Sequence, residues 1–185
     1  MTLANKLTCL RMILIIPLII NASLRFKLNF PFSIIFAILT LIIFVVACIT
    51  DYFDGKIARE TDTVTDFGKL TDPIADKLLT FSFLFVAVKY GKLSSLIVLV
   101  MLIREIIVTY ERLQLAKNNY GVMSASMLGK IKTVVVMVTI VLIIILPAYK
   151  VVNNILMIPA MILTVISGID YHIKATEYLK GEING

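Results

Sequence analysis

Between Asn29 and Asp51 the chain carries no charged residue. That stretch, Phe30 to Thr50, is long enough to cross the hydrocarbon core of a bilayer as one helix, which takes about 20 residues at ~1.5 Å each. Apolar runs recur along the rest of the chain. A first, modest helix is expected over Met12–Ile20, preceded by an interfacial segment and followed by a polar loop from Asn21 to Asn29. The second runs from Pro31 through Thr50. A polar connector covers residues 60–69, and the third starts near Thr71 or Asp72 and reaches Lys89. Tyr90-Gly91-Lys92 reads as a tight turn. The fourth spans Leu93–Ala116, the fifth Leu128–Leu146 and the sixth Val151–Leu179. Hydrophobic residues make up 59% of the 185, and the mean hydropathy is +0.97. A soluble domain of this size has no interior able to hold so much apolar surface. The expected fold is an all-α integral membrane protein, one domain over residues 1–185, with six transmembrane helices and a short N-terminal interfacial segment.

Loops between such spans alternate sides. Thirteen of the 18 Lys and Arg then fall on the side that carries Asp51–Asp76. An excess of basic residues marks the cytoplasmic face, so that stretch and both termini are expected there, in the cell membrane. The net charge of +6 is read as serving topology and anionic headgroups, with no nucleic-acid partner. Cys9 and Cys48 lie in apolar contexts without a Cys-x-x-Cys pair, and read as small buried hydrophobes.

Four carboxylates stand where the second and third helices meet the connector: Asp51, Asp54, Asp72 and Asp76. The first pair is spaced i, i+3 and the second i, i+4, so each pair shares one helix face. Acids beside hydrocarbon cost about 2.5–3.5 kcal/mol each at a bilayer centre and less near its edge, and four of them repel. Divalent cations remove both penalties, and oxygen-only ligands suit Mg²⁺, Mn²⁺ or Ca²⁺ over zinc. An ion-conducting transporter would also place acids here. It would have no need of the residues fixed around them.

Those residues form the pattern D-x2-D-G-x2-A-R-x8-G-x3-D-x3-D, in Asp51, Asp54, Gly55, Ala58, Arg59, Gly68, Asp72 and Asp76. The stretch resembles the signature of the CDP-alcohol phosphotransferases, with no departure. The resemblance implies cleavage of the pyrophosphate of CDP-diacylglycerol, with CMP leaving. It implies Asp51, Asp54 and Asp72 as ligands of two Mg²⁺ or Mn²⁺ ions. Asp76 would share a metal and act as general base on the acceptor hydroxyl. It also implies a CDP pocket of Asp54, Gly55, Ala58 and Gly68 with Arg59 on phosphate, and a homodimer. Asp66 lies outside the signature and is a further nucleotide contact candidate.

Three more stretches look like the branch of that family that makes phosphatidylglycerophosphate from glycerol 3-phosphate. They are Ile103-Arg104-Glu105 with Arg112, Gly129-Lys130-Ile131-Lys132-Thr133, and the opening Asn5-Lys6-Leu7-Thr8 with Arg11. Ala4 stands where that branch has proline, and Tyr110-Glu111 departs from its small residue. Inositol phosphate, serine or a second phospholipid are the alternative acceptors. Arg104, Arg112, Lys130 and Lys132 are basic groups at helix ends facing the same compartment as the aspartates, as a phosphorylated acceptor requires. Lys130 and Lys132 are two apart and face different ways on a helix, so one of them is expected to point inward. Arg104 with Glu111, and Glu105 with Arg112, are seven apart and placed to pair. Asn5, Thr8 and Arg11 are candidates for lipid headgroup contact. His172 reads as an interfacial polar residue.

Overall fold

The computed structural model describes residues 3–60, 66–117, 127–146 and 149–179; within them, the side chains of residues 3–7, 52, 54–60, 66–74, 76, 116–117 and 178–179 lie outside the description. The elements are six α-helices: α1 (Leu3–Lys27), α2 (Phe32–Glu60), α3 (Asp66–Lys89), α4 (Ser95–Lys117), α5 (Met127–Ile145) and α6 (Lys150–Leu179). No strand occurs among the described residues. Among the described residues, four stretches are long and apolar enough to cross a membrane: Thr8–Lys27, Phe32–Asp51, Met127–Ile145 and Lys150–Glu177. The other two helices, α3 and α4, carry both acids and bases within their length. Large apolar side chains stand exposed on all six helices, from Ile16 on α1 to Ile173 on α6. An exposed apolar surface of that extent is what hydrocarbon, and not water, tolerates. The protein is an all-helical, multi-pass membrane protein.

Two compact units make up the chain: Met1–Leu93 with Ile143–Tyr149, and Ser94–Leu142 with Lys150–Gly185. In the first, α1 packs against α2 and α3. Its interior is Leu18 and Ala22 of α1, Phe44 and Ala47 of α2, and Leu79, Phe83, Leu84 and Ala87 of α3, all 2% exposed or less. Alanines at these contacts let helix backbones approach closely where lipid gives no hydrophobic drive. Helix α3 ends in a left-handed residue, Gly91 at φ +66°. The Lys92 N–H donates to Ala87 O (2.8 Å) and the Gly91 N–H to Val88 O (2.9 Å). These two bonds satisfy the last carbonyls of the helix, and only glycine takes that φ without cost. The expected turn at Tyr90–Lys92 is therefore present.

The expected loop from Asn21 to Asn29 is instead mostly helix, since α1 continues to Lys27. Its polar residues have partners that keep it wound. Asn21 Nδ2 donates to Pro17 O at 2.8 Å. The Arg25 guanidinium donates to Leu146 O (3.1 Å) and Ile144 O (3.5 Å). It thus meets the open carbonyls at the C-terminal end of α5, where a cation is favoured by the helix dipole. Arg25→Met should lower stability by about 1–2 kcal/mol, seen as a lower unfolding midpoint in detergent, and Arg25→Lys should recover part of it. An unchanged midpoint in the methionine variant would show that the cap carries no weight.

In the second unit α4 packs against α6. Val108 and Leu115 of α4 meet Tyr171 and Ala175 of α6 in one buried cluster. Buried hydroxyls return to their own helix: Thr139 Oγ1 donates to Val135 O (2.8 Å) and Thr164 Oγ1 to Ala160 O (2.7 Å). Such back-bonding leaves no unpaired hydroxyl facing hydrocarbon. Cys9 and Cys48 are partly exposed, not buried as expected, and no disulfide joins them.

Candidate active site

The membrane-spanning part of α2 ends at Asp51, but the helix runs on unbroken to Glu60. Asp51, Asp54, Gly55, Ala58 and Arg59 therefore sit on consecutive turns of one helix. Helix α3 begins at Asp66, earlier than the expected Thr71 or Asp72. Asp66, Gly68, Asp72 and Asp76 thus all lie on its first three turns, and Pro73 falls inside the helix instead of in its first turn. The helical spacing that puts Asp51 with Asp54, and Asp72 with Asp76, on shared faces holds in the backbone.

Among the four aspartates, the side chain described is that of Asp51. It is 35% exposed and meets the Arg11 guanidinium of α1 at 2.5 Å, while Arg11 itself is 0% exposed. Ala47, one turn before Asp51 and fully buried, leaves room for α1 to approach. Thr8, one turn before Arg11, is 1% exposed. Of the three headgroup candidates, Thr8 and Arg11 thus face inward. The third, Asn5, has its side chain outside the described residues, as do Asp54, Gly55, Ala58, Arg59, Asp66, Gly68, Asp72 and Asp76. The Arg11 contact shows that a carboxylate at the end of this span is charge-compensated. The donor set on α2 and α3 consists of carboxylates alone. Oxygen donors of that kind suit a hard divalent cation.

A second polar cluster lies within the α4–α5–α6 unit. Arg104 Nη1 donates to Glu105 Oε1 at 2.8 Å, and Arg104 Nη2 donates to Ser167 Oγ at 2.8 Å. Lys132 Nζ donates to the same Glu105 Oε1. The side chains are 12%, 15% and 14% exposed for Arg104, Glu105 and Lys132. Arg104 lies across Gly168 of α6, where an added Cβ would come within 2.8 Å of its Cγ and 2.9 Å of its Nε. Glycine there is what allows the arginine to lie flat against α6.

Of the four basic candidates, the structure brings Arg104 and Lys132 together through Glu105. Lys130 is exposed, so of the two lysines it is Lys132 that faces inward. Arg112 is also exposed and stacks over the Tyr171 ring, 5.2 Å from its centroid. The ion pairs described for these acids are not the two suggested by a spacing of seven. Glu105 takes Arg104 and Lys132, and Glu111 takes His172 Nδ1, so His172 has a partner on α4. Sequence reasoning missed Glu105, Ser167 and Gly168 as members of this cluster. The small Ser167-Gly168 pair inside a long apolar helix was the available signal.

Over residues 1–166 the chain matches the CDP-alcohol phosphatidyltransferase family, and it belongs to that family. Its fold and its motif residues agree with an enzyme of that class, a transferase acting on a CDP-linked alcohol. It is 36% identical over 182 residues to the CDP-diacylglycerol–glycerol-3-phosphate 3-phosphatidyltransferase of Rickettsia bellii, covering 95% of this chain and 96% of that one. The protein of the same name in Bacillus subtilis is 39% identical over 145 residues, 75% of this chain and 74% of its own. A probable phosphatidylglycerophosphate synthase of Mycobacterium tuberculosis is 42% identical over 142 residues, 75% of this chain and 66% of its own.

Proposed function

We propose that this chain transfers the phosphatidyl group of CDP-diacylglycerol to glycerol 3-phosphate, forming phosphatidylglycerophosphate and CMP. The observation that carries this reading is the similarity to the Rickettsia bellii enzyme, which extends over nearly the whole of both chains. The acceptor hydroxyl attacks the phosphatidyl phosphorus, its proton passes to Asp76, and the bond to CMP breaks. Asp51, Asp54, Asp72 and Asp76 would hold two divalent cations, Mg²⁺ or Mn²⁺, which when bound neutralise pyrophosphate charge. Gly55, Ala58 and Gly68 leave backbone open to the nucleotide, Arg59 presents a planar fork to phosphate, and Asp54 and Asp66 complete the nucleotide contacts. Arg104 and Lys132 receive the acceptor's phosphate. Arg112 and Lys130, exposed on the same helices, serve its approach. The enzyme acts as a homodimer in the cell membrane with its motif facing the cytoplasm, as the distribution of basic residues supports.

A labelled-acceptor panel with purified protein tests this. Glycerol 3-phosphate should yield labelled lipid and equimolar CMP, and far better than glycerol, serine or inositol phosphate. Transfer to serine with no response to glycerol 3-phosphate would overturn the choice of acceptor. Lys132→Ala should raise the KM for glycerol 3-phosphate about tenfold, corresponding to the loss of about 1.4 kcal/mol of binding. Lys130→Ala should have a smaller effect. Equal effects of the two would remove Lys132 from the acceptor site.

A further inference from the structure

Glu105 presents one oxygen, Oε1, to two cations at once: Arg104 Nη1 at 2.8 Å and Lys132 Nζ. The two cations come from different helices. Arg104 is bound by Ser167 Oγ and lies against Gly168, and Lys132 projects from α5. A single oxygen atom at the position of Oε1 is therefore within hydrogen-bonding reach of both. In an ordinary anion site that oxygen would belong to the ligand. Here the protein supplies it.

We infer that Glu105 is a built-in competing anion: it occupies the Arg104–Lys132 pair, and a ligand must displace it to reach both cations. This rests on the proposal that the pair receives the acceptor's phosphate. A phosphate dianion is drawn more strongly to the two cations than a monocarboxylate is, and it is also repelled more strongly by Glu105, because both effects scale with the ligand's charge. Glu105 therefore weakens anion binding to the pair and sets the affinity for the acceptor's phosphate.

Glu105→Gln keeps the shape and an acceptor oxygen but removes the charge. The experiment measures inhibition constants of inorganic phosphate and of glycerate, as a monocarboxylate, against glycerol 3-phosphate, with full-length protein in detergent. The phosphate constant should fall at least about tenfold in Glu105→Gln, since a full charge a few ångströms away is removed; the glycerate constant should fall as well, by no more than that of phosphate. A gain in affinity is a result that structural damage does not produce. Glu105→Gln/Lys132→Met should lose the gain, which ties it to this pair. Phosphate binding unchanged within about twofold, weaker binding of both anions, or a gain that survives loss of Lys132 would overturn the inference. Calorimetric titration of the same two anions, without divalent metal, applies the same criteria independently of turnover. If the wild-type protein does not use glycerol 3-phosphate, the acceptor reading fails while this titration still decides the role of Glu105.

Discussion

Asp51→Asn is expected to bring CMP release to below about one-hundredth of the wild-type rate at any Mg²⁺ concentration, because a neutral amide is a poor ligand for a hard dication. Wild-type protein should lose activity in excess EDTA and regain it with Mg²⁺ or Mn²⁺; full activity in EDTA would sink the metal role altogether. The structure adds a second consequence. Arg11 has no exposure, and the substitution takes a carboxylate away from its buried guanidinium. Breaking a buried ion pair costs about 3–5 kcal/mol, and the one-third exposure of Asp51 brings this down to about 2–3 kcal/mol. The single variant should therefore unfold at lower temperature as well as fail in catalysis. Arg11→Met/Asp51→Asn removes both charges and should recover much of the stability while staying inactive. If the double variant regains turnover, Asp51 serves the fold through Arg11 and is not a metal ligand.

Asp76→Asn is expected to lower turnover by about a hundredfold to ten-thousandfold, the range for loss of a general base, while CDP-diacylglycerol still binds. The separation follows from position. The nucleotide contacts are assigned to Asp54, Gly55, Ala58 and Arg59 on α2, and to Asp66 and Gly68 on the first turn of α3. Asp76 lies more than two turns further along α3. Binding of the donor, measured beside turnover, distinguishes a base from a binding ligand. Equal loss of both would assign Asp76 to binding and leave the base to be found elsewhere.

Much of this was legible in the sequence, for physical reasons that differ from element to element. Helices α2 and α5 each carry one long apolar run, and their boundaries came out within two residues, the motif turns of α2 excepted. The Asn21–Asn29 stretch differs from the expected loop because one of the contacts that keep it helical is not local. Arg25 is satisfied by carbonyls at Ile144 and Leu146, more than a hundred residues away. The placement of the motif aspartates on two helices could be read from their spacing, because a helix face is a local property. The pairing of Arg11 with Asp51 did not, since it depends on how α1 packs against α2. Glu105 was hidden differently. Spacing along α4 suggested Arg112 as its partner, whereas it meets the adjacent Arg104 and Lys132 of another helix.

The uninterrupted passage of α2 from its apolar span into the motif has a consequence for how the donor is handled. A lipid with two chains of about sixteen carbons buries roughly thirty methylenes, and withdrawing them into water costs about 0.8 kcal/mol apiece, some 24 kcal/mol in all. The tightest non-covalent complexes release only about 18–21 kcal/mol, so no pocket at a distance from the bilayer could repay extraction. With the proposed metal ligand Asp51 at the last turn of the span, the pyrophosphate would be met where the chains already lie. Only the small acceptor and CMP need to travel through water, and the lipid product diffuses away sideways without ever leaving the leaflet.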